Sequence, residues 1–202
     1  MRETIYIIDD DPEFSGAARR LLEMAGYRVL SFPSGERLLE QQFSKDGVAC
    51  ILLDVRLPAL TGPELQQELI AHNVGLPIIF LSGYDDIPTT VRTIKSGAED
   101  FLRKPITADV LLSTVERAIE KHMASQQRRD KQAVLRAKET KLTPREREVF
   151  DRIVEGKLNK QIALELGCTV RTTKAHRQRV MEKMQARSLA ELVVMAQQLR
   201  SS

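Results

Sequence analysis

Residues 48–54, Val48-Ala49-Cys50-Ile51-Leu52-Leu53-Asp54, form an unbroken apolar run that ends at an acidic residue. Short continuous apolar runs are typical of strands buried on both faces of a sheet. Two further runs have the same form: residues 5–8 precede Asp9-Asp10, and residues 77–81 precede Ser82. Weaker runs at 27–32 and 100–102 complete a set of five predicted strands.

Helical patterns alternate with these strands. They lie at residues 13–25, 35–43, 63–71 and 87–96, and another begins at residue 108. Such alternation requires crossover connections, which place helices on both faces of a parallel sheet. The sequence therefore predicts an α/β domain with a doubly wound, five-stranded parallel sheet.

Polar side chains follow the predicted strands where each strand ends. The carboxyl ends of parallel strands meet at one edge of a sheet, where ligands bind. Carboxylate oxygens suit magnesium, an aspartate can form an aspartyl phosphate, and a lysine or a hydroxyl can bind phosphoryl oxygens. Each such residue alone is common at the start of a loop. Five of them at the ends of four successive runs indicate one site: Asp9, Asp10, Asp54, Ser82 and Lys104.

Residues 1–122 resemble the receiver domain of two-component systems, which has a flavodoxin-like fold. The matching motifs are Ile8-Asp9-Asp10-Asp11, Leu53-Asp54-Val55-Arg56-Leu57-Pro58 with Gly62, Leu81-Ser82-Gly83, and Phe101-Leu102-Arg103-Lys104-Pro105.

The resemblance implies a role for each matching residue. Asp54 matches the phosphoacceptor, Ser82 the switching hydroxyl, Lys104 the phosphate-binding lysine and Phe101 the switch aromatic, although a lone Phe is more often plain core. One weakly bound Mg²⁺, for which Mn²⁺ could substitute, is implied at Asp9, Asp10, Asp54 and the backbone carbonyl of Arg56. Asp11 is expected to start a helix and not to bind the metal.

The C-terminal part has a different pattern. Thr143, Pro144 and Glu146 form a capping-box signature for a helix that runs to about residue 155. A short helix at 159–166, a turn at Gly167 and a basic helix at 170–184 follow, and a last helix spans 188–199. A short helix, a glycine turn and a basic helix are typical of a helix-turn-helix.

This part resembles a LuxR-type DNA-binding domain, an all-α fold of four helices. The resemblance rests on Leu142-Thr143-Pro144-Arg145-Glu146-Arg147-Glu148-Val149, Asn159-Lys160-Gln161-Ile162-Ala163, Leu166-Gly167 and Thr172-Thr173-Lys174-Ala175-His176-Arg177. Thr173 replaces the usual apolar β-branched residue, so its buried hydroxyl needs a hydrogen-bond partner. The expected DNA-binding residues are Lys160, Arg171, Thr172, Lys174, His176 and Arg177, with His176 in either a phosphate or a packing contact.

Charge divides the chain in the same way. Residues 1–120 hold 12 Lys and Arg against 19 Asp and Glu, whereas residues 121–141 hold 7 against 2 and residues 142–202 hold 12 against 7. An acidic signalling domain joined to a basic one is typical of nucleic-acid binding by the latter. The stretch 123–141 lacks Gly and Pro, which favours a helical linker between domains at 1–122 and 142–202.

A receiver joined to a LuxR-type domain resembles the NarL/FixJ class of response regulators, and residues 82–88 and 186–189 favour the FixJ subgroup. The class implies a sensor histidine kinase, double-stranded DNA and RNA polymerase as partners, and a homodimer on phosphorylation. It implies no enzyme activity beyond self-catalysed phosphotransfer and dephosphorylation. Without a signal peptide or an apolar span of membrane length, the protein is expected to be cytoplasmic, with no membrane partner.

Two other functions compete with this one. A phosphatase with a nucleophilic aspartate would need a general acid two residues after Asp54, where Arg56 lies. A DNA-binding protein whose receiver no longer uses phosphate would not need all five receiver positions filled. Turnover of an aryl phosphate tests the first alternative, and labelling by acetyl phosphate tests the second.

Overall fold

The computed structural model describes residues 3–41, 43, 48–83 and 97–200. The chain divides into two compact units, Met1–Ser125 and Gln126–Ser202. Each unit has a hydrophobic core of its own, and the two are described separately below.

The first unit contains a five-stranded parallel sheet in the order β2-β1-β3-β4-β5. This is the flavodoxin-like strand order. The chain adds β2 on one side of β1 and then adds β3, β4 and β5 on the other side. The predicted doubly wound sheet is therefore confirmed. The strands are β1 Thr4–Ile8, β2 Arg28–Phe32, β3 Ala49–Asp54, β4 Ile78–Ser82 and β5 Asp100–Arg103.

Alternate residues of each strand belong to opposite faces of the sheet, because side chains along a strand point alternately to its two sides. Ile5 and Ile7 pack into one core cluster, whereas Tyr6 and Ile8 pack into the other. Burial of both faces explains the unbroken apolar runs in the sequence. Cys50, in the middle of β3, is fully buried in the first cluster.

Three helices precede the last strand among the described residues: α1 Pro12–Met24, α2 Gly35–Leu39 and α3 Gly62–Ala71. Asp11 is the N-cap of α1 and accepts hydrogen bonds from the backbone of Glu13 and Phe14, as expected. The helix expected at 87–96 lies outside the described residues.

The prediction that a helix spans 35–43 is wrong at its C-terminal end, because α2 is only five residues long. Phe43 lies outside the helix and packs edge-on against Tyr6, with ring centroids 5.3 Å apart. Burial of this aromatic ring against the sheet outweighs the small gain from another helical turn.

Helix α4, Ala108–Glu139, is continuous over 32 residues, which confirms that the helix beginning near residue 108 extends far into the linker. Its first turns bury Leu111, Val115 and Ile119 in the core of the first unit. Its last turns belong to the second unit, where Leu135 is buried.

The second unit is otherwise built from α5 Pro144–Val154, α6 Asn159–Glu165, α7 Val170–Met184 and α8 Leu189–Arg200. Thr143 and Glu146 form the predicted capping box at the start of α5, and Thr169 caps α7. Gly156 and Gly167 follow α5 and α6 with φ of 82° and 59°, where a residue without a Cβ is unstrained. Among the described residues, no helix combines the length and the apolar character needed to cross a membrane.

Candidate functional site

The ends of β1 and β3 bring three carboxylates together at the carboxyl edge of the sheet. Ligand oxygens of Asp9, Asp10 and Asp54 all lie within 4.8 Å of one another. Asp9 and Asp54 are buried and Asp10 is exposed. The parallel pairing of β1 with β3 places Ile8 beside Leu53, so the residues that follow these two positions become neighbours.

Lys104 joins two of these carboxylates. Its Nζ lies 2.5 Å from Asp9 Oδ2 and 2.5 Å from Asp54 Oδ2. The three residues come from positions 9, 54 and 104, so only the fold brings them together. The Lys104 backbone is itself fixed, because its N–H donates to the carbonyl of Ser82 at 2.7 Å.

Backbone N–H groups orient the other oxygen of each carboxylate. Asp11 N–H donates to Asp9 Oδ1 at 3.1 Å, and Arg56 N–H donates to Asp54 Oδ1 at 2.7 Å. Each carboxylate is therefore held at both oxygens, one by the backbone and one by Lys104. This arrangement fixes the direction in which Asp54 presents its oxygens.

The electrostatics of the cluster are unbalanced. Burial raises the pKa of Asp9, and its hydrogen bond and attraction to Lys104 oppose this effect only in part. Burial alone would lower the pKa of Lys104, but its hydrogen bonds to Asp54 and Asp9 reverse the effect and leave that pKa raised. Lys104 thus stays an ammonium ion between the carboxylates of Asp9 and Asp54.

These donors fit a hard divalent cation. Three carboxylates against one ammonium leave an excess of two negative charges within a small volume. Oxygen donors of this kind suit Mg²⁺ or Mn²⁺ better than zinc. Asp10 is exposed, so a cation at this cluster can keep several water ligands, as magnesium requires.

The other predicted receiver residues lie on β4, on β5 and just after β3. Ser82 is the buried last residue of β4, and Leu81, the residue before it, pairs with Asp54 across the sheet. Phe101 lies on β5 opposite Phe80 and packs against the second core cluster while remaining partly exposed. Arg56 lies two residues after Asp54, and its backbone N–H contacts the Asp54 carboxylate.

Phe14 is a site residue that the sequence analysis missed. Lys104 Nζ lies 4.2 Å from the centroid of its ring, which is close enough for a cation–π interaction. Phe14 lies in the first turn of α1, just after the acidic pair, so its position in the sequence indicates that it is near the site but not that it contacts Lys104. The ring shields one side of the ammonium ion and favours its position between the two carboxylates.

The second unit forms the predicted helix-turn-helix from α6, the turn at Gly167 and α7. Ile162 and Ala163 of α6 are buried, as are Val180 and Met184 of α7. Ala163 takes up little space where the two helices meet, and its carbonyl accepts the backbone N–H of Cys168 at 3.0 Å. Helix α7 thereby presents a polar face on the side away from the core.

The predicted DNA-binding residues do not share one environment. Lys160, Arg171, Thr172 and Lys174 are exposed, whereas His176 and Arg177 are half-buried. The Arg177 guanidinium donates to Asn159 Oδ1 at 3.3 Å, and the Thr172 hydroxyl lies 2.8 Å from that of Thr169.

Thr173 is fully buried, and its hydroxyl has the partner that burial requires. Thr173 Oγ1 donates to the backbone carbonyl of Thr169 at 3.1 Å and lies 3.3 Å from Cys168 Sγ. The expectation that this hydroxyl needs a partner is confirmed. The departure from the usual apolar residue therefore leaves the docking of α7 intact.

An acidic cluster with a bridging lysine on a flavodoxin-like sheet, followed by a basic helix-turn-helix, defines a class of signalling protein. The response regulator receiver domain family matches residues 5–116, and the LuxR family of bacterial regulatory proteins matches residues 140–196. The chain belongs to the two-component response regulators of the NarL/FixJ class, which regulate transcription.

Individual relatives agree with this assignment along nearly the whole chain. Nodulation protein W of Bradyrhizobium diazoefficiens is 40% identical over 195 residues, which are 96% of this chain and 86% of that protein. The tetrathionate response regulatory protein TtrR of Salmonella typhimurium is 40% identical over 190 residues, 94% of this chain and 90% of the relative. The transcriptional regulatory protein FixJ of B. diazoefficiens is 37% identical over 194 residues, 95% and 93% of the two chains.

Solved structures show the same architecture. The response regulator StyR has 38% identity and a TM-score of 0.85, with 98% of this chain and 99% of that chain covered. Full-length FixJ from B. japonicum has 34% identity and a TM-score of 0.61, with 100% and 99% covered.

Proposed function

We propose that this response regulator is switched by phosphorylation of Asp54. A sensor histidine kinase is the proposed donor. The Asp54 carboxylate forms an O–P bond as the P–N bond to the kinase histidine breaks. The observation that carries the proposal is the bridging ammonium of Lys104, 2.5 Å from both Asp54 Oδ2 and Asp9 Oδ2.

Lys104 and the backbone then have defined tasks. The Arg56 N–H holds one Asp54 oxygen, so the other is directed toward the incoming phosphorus. Lys104, already protonated, can move from the carboxylate to a phosphoryl oxygen and neutralise its charge. The Ser82 hydroxyl, at the end of the neighbouring strand, is the proposed donor to another phosphoryl oxygen.

The proposed metal site consists of Asp9, Asp10, Asp54 and the backbone carbonyl of Arg56. When bound there, Mg²⁺, or Mn²⁺ in its place, supplies positive charge that favours the phosphorylated state. Binding is expected to be weak because few protein ligands meet the ion. The same residues support slow self-catalysed dephosphorylation, so phosphotransfer serves the switch and not metabolic turnover.

The proposed switch links Asp54 to the β4–β5 side of the sheet. A phosphoryl group adds negative charge and acceptor oxygens, toward which Ser82 moves. Phe101, partly exposed on β5, turns inward, and the surface around it then favours a homodimer. The proposed modules are a receiver at 1–122, a helical linker at 123–141 and a DNA-binding domain at 142–202.

In this proposal the dimer places two copies of α7 in successive major grooves of double-stranded DNA. Lys160, Arg171, Thr172, Lys174, His176 and Arg177 are the proposed contact residues, and RNA polymerase is the proposed downstream partner. A dimer suits this task because one helix-turn-helix covers few base pairs.

Labelling by acetyl phosphate with Mg²⁺ tests the proposal. The parent chain should take up one phosphoryl group, and Asp54→Asn should take up none, because the amide keeps the shape but lacks the nucleophile. Asp10→Ala should lose the magnesium-dependent part of labelling. Labelling of Asp54→Asn at the parent rate would show that another residue is the phosphoacceptor.

A further inference from the structure

Three consecutive residues in the first turn of α5 contact three different parts of the second unit. Arg145 contacts the turn of the helix-turn-helix, Glu146 contacts α7, and Arg147 contacts the end of α4. The capping-box signature accounts for only one role of Glu146. The contacts indicate a second one.

The buried carboxylate of Glu146 forms an ion pair with the partly exposed Lys183 in the last turn of α7. Its Oε2 accepts hydrogen bonds from Lys183 Nζ at 2.6 Å and from the Thr143 backbone N–H at 2.9 Å. The Glu146 side chain is only 3% exposed, and the hydrogen bond from Lys183 helps lower its pKa to about 2. A charge this buried needs its partner, so α7 is held at one position along α5.

Arg145 holds the turn that precedes the other end of α7. One of its Nη groups donates to the backbone carbonyl of Leu166, in the turn before α7, and the other donates to Glu148 at 2.6 Å. Leu166 is the C-cap of α6, where carbonyl groups lack helical partners. Arg145 satisfies such a carbonyl and fixes the turn from which α7 begins.

The anchoring turn is itself fixed. The Arg147 guanidinium donates to Glu139 Oε1 at 3.0 Å and to the Glu139 backbone carbonyl at 3.2 Å, which ties the first turn of α5 to the last residue of α4. Leu142, between these two helices, is buried in the core of the unit. The first turn of α5 is therefore a fixed reference for both ends of α7.

We propose that Arg145 and Glu146 are positioning residues for sequence-specific DNA binding, acting through Leu166 and Lys183. They set the angle at which α7 enters the groove without being DNA contacts themselves. Base readout depends on this angle because hydrogen bonds to base edges tolerate little displacement, whereas phosphate contacts adapt more easily. The inference rests on the proposed function in one respect, since it takes sequence-specific DNA binding as given.

The test uses the full-length chain and two duplexes. One is selected from a random library by the parent chain, and the other is a scrambled duplex of the same composition. Affinities are measured for Glu146→Gln, Lys183→Met, Lys183→Arg and Arg145→Met at several salt concentrations, below the unfolding temperature of each variant. Glu146→Gln is the central variant, because its side-chain carbonyl can still cap Thr143 while the ion pair is lost.

Positioning predicts that Glu146→Gln and Lys183→Met each weaken binding to the selected duplex about tenfold, with binding to the scrambled duplex changed less than about twofold. The two effects should not add in the double variant, because both remove one interaction. Lys183→Arg should have the same ratio of affinities for the selected and the scrambled duplex as the parent chain. Arg145→Met should lower this ratio. The salt slope of Glu146→Gln should equal that of the parent.

Arg200→Met is the matched control, because Arg200 is 58% exposed and pairs with the half-buried Asp151 at 3.3 Å. It removes one cation from the same unit and should leave the ratio of the two affinities unchanged. If Lys183→Met lowers the salt slope by about one and Glu146→Gln binds like the parent, Lys183 is a phosphate contact and the inference is wrong. Equal loss on both duplexes would also overturn it. A parent chain that selects no sequence would overturn the proposed function, and this inference with it.

Discussion

Gly62 lies directly against Asp54. A Cβ at position 62 would clash with the Asp54 carbonyl oxygen and would lie 3.0 Å from Val55 Cα. The Gly62 N–H donates to the Val55 carbonyl at 3.0 Å, so the start of α3 is fastened to the end of β3. The absence of a side chain at Gly62 is what lets this helix start directly against the end of β3 at Asp54.

Gly62→Ala should therefore destabilise the first unit by about 1–3 kcal/mol, because backbone atoms must shift to admit the methyl group. Labelling of Asp54 should slow as its carboxylate moves. All three tyrosines, Tyr6, Tyr27 and Tyr84, lie in the first unit and the chain has no tryptophan, so tyrosine fluorescence in urea follows this unit alone. Gly75→Ala is the control, because a Cβ there meets nothing within 4 Å. Equal stability of the two variants would contradict the close approach.

Lys104→Met should destabilise the first unit by about 3–5 kcal/mol at neutral pH without Mg²⁺, since it leaves Asp9 buried and charged with no cation. Burial raises the pKa of Asp9 in the folded state, so the folded state takes up a proton more readily than the unfolded state. Protonation of Asp9 therefore stabilises the fold as the pH falls through the folded-state pKa. The loss should thus shrink at acid pH. Lys121→Met provides the comparison: Lys121 is 69% exposed beside Glu99, and its loss should cost less than about 1 kcal/mol. A loss that stayed constant with pH would exclude Asp9 as the cause.

Glu146 gives the second unit a pH dependence of the opposite sign. Its pKa falls from 4.5 to about 2 on folding, chiefly through the hydrogen bond from Lys183. A carboxylate whose pKa is lower in the folded state stabilises the fold at pH values above its unfolded-state pKa. This stability is lost as the pH falls through its folded-state pKa. The free-energy difference between the parent and Glu146→Gln should therefore decrease between pH 4.5 and 2. Circular dichroism detects the unfolding of both units, whereas tyrosine fluorescence detects that of the first unit alone. Comparison of the two unfolding curves therefore isolates the second unit. A constant difference would show that the carboxylate stays uncoupled from folding.

Arg171 and Lys174 should act mainly through phosphate. Both are exposed on α7, and neither has a hydrogen-bond or ion-pair partner among the described residues. Each alanine variant should lower the salt slope of DNA binding by about one. Lys174→Ala together with Arg177→Ala should abolish tight binding at fixed salt. Lys157→Ala is a suitable control, because its ammonium ion is held 2.7 Å from Glu165. Unchanged binding by the double variant would mean that another surface faces the DNA.

Thr173→Val should leave the stability of the second unit unchanged or raise it by up to about 1 kcal/mol. The Thr169 carbonyl that accepts the Thr173 hydroxyl also accepts the Thr173 backbone N–H at 2.9 Å, so the substitution leaves this carbonyl paired and removes only the weak contact to Cys168 Sγ. Thermal unfolding detected by circular dichroism measures the change. A clear loss of stability would show that the Cys168 contact to this hydroxyl matters for packing.

The strand ends explain how much of the site was predictable. Asp9, Asp54 and Lys104 follow or end buried strands, and parallel pairing must bring such residues to one edge. The contacts between Lys104 and Phe14, and between Glu146 and Lys183, were not predictable in this way. They depend on how helices pack, which periodicity does not determine. The short α2 has a related cause, since Phe43 leaves the helical pattern to pack on Tyr6.

Cys50 gives the protein a chemical probe of its own opening. The thiol is fully buried in β3, and burial raises its pKa far above the usual range, so a thiol reagent can reach and activate it only when the sheet opens. Cys168, in the other unit, is partly exposed and also reduced. Alkylation kinetics at Cys50, resolved from those at Cys168 by peptide mass, therefore measure the opening free energy of the receiver without any engineered label.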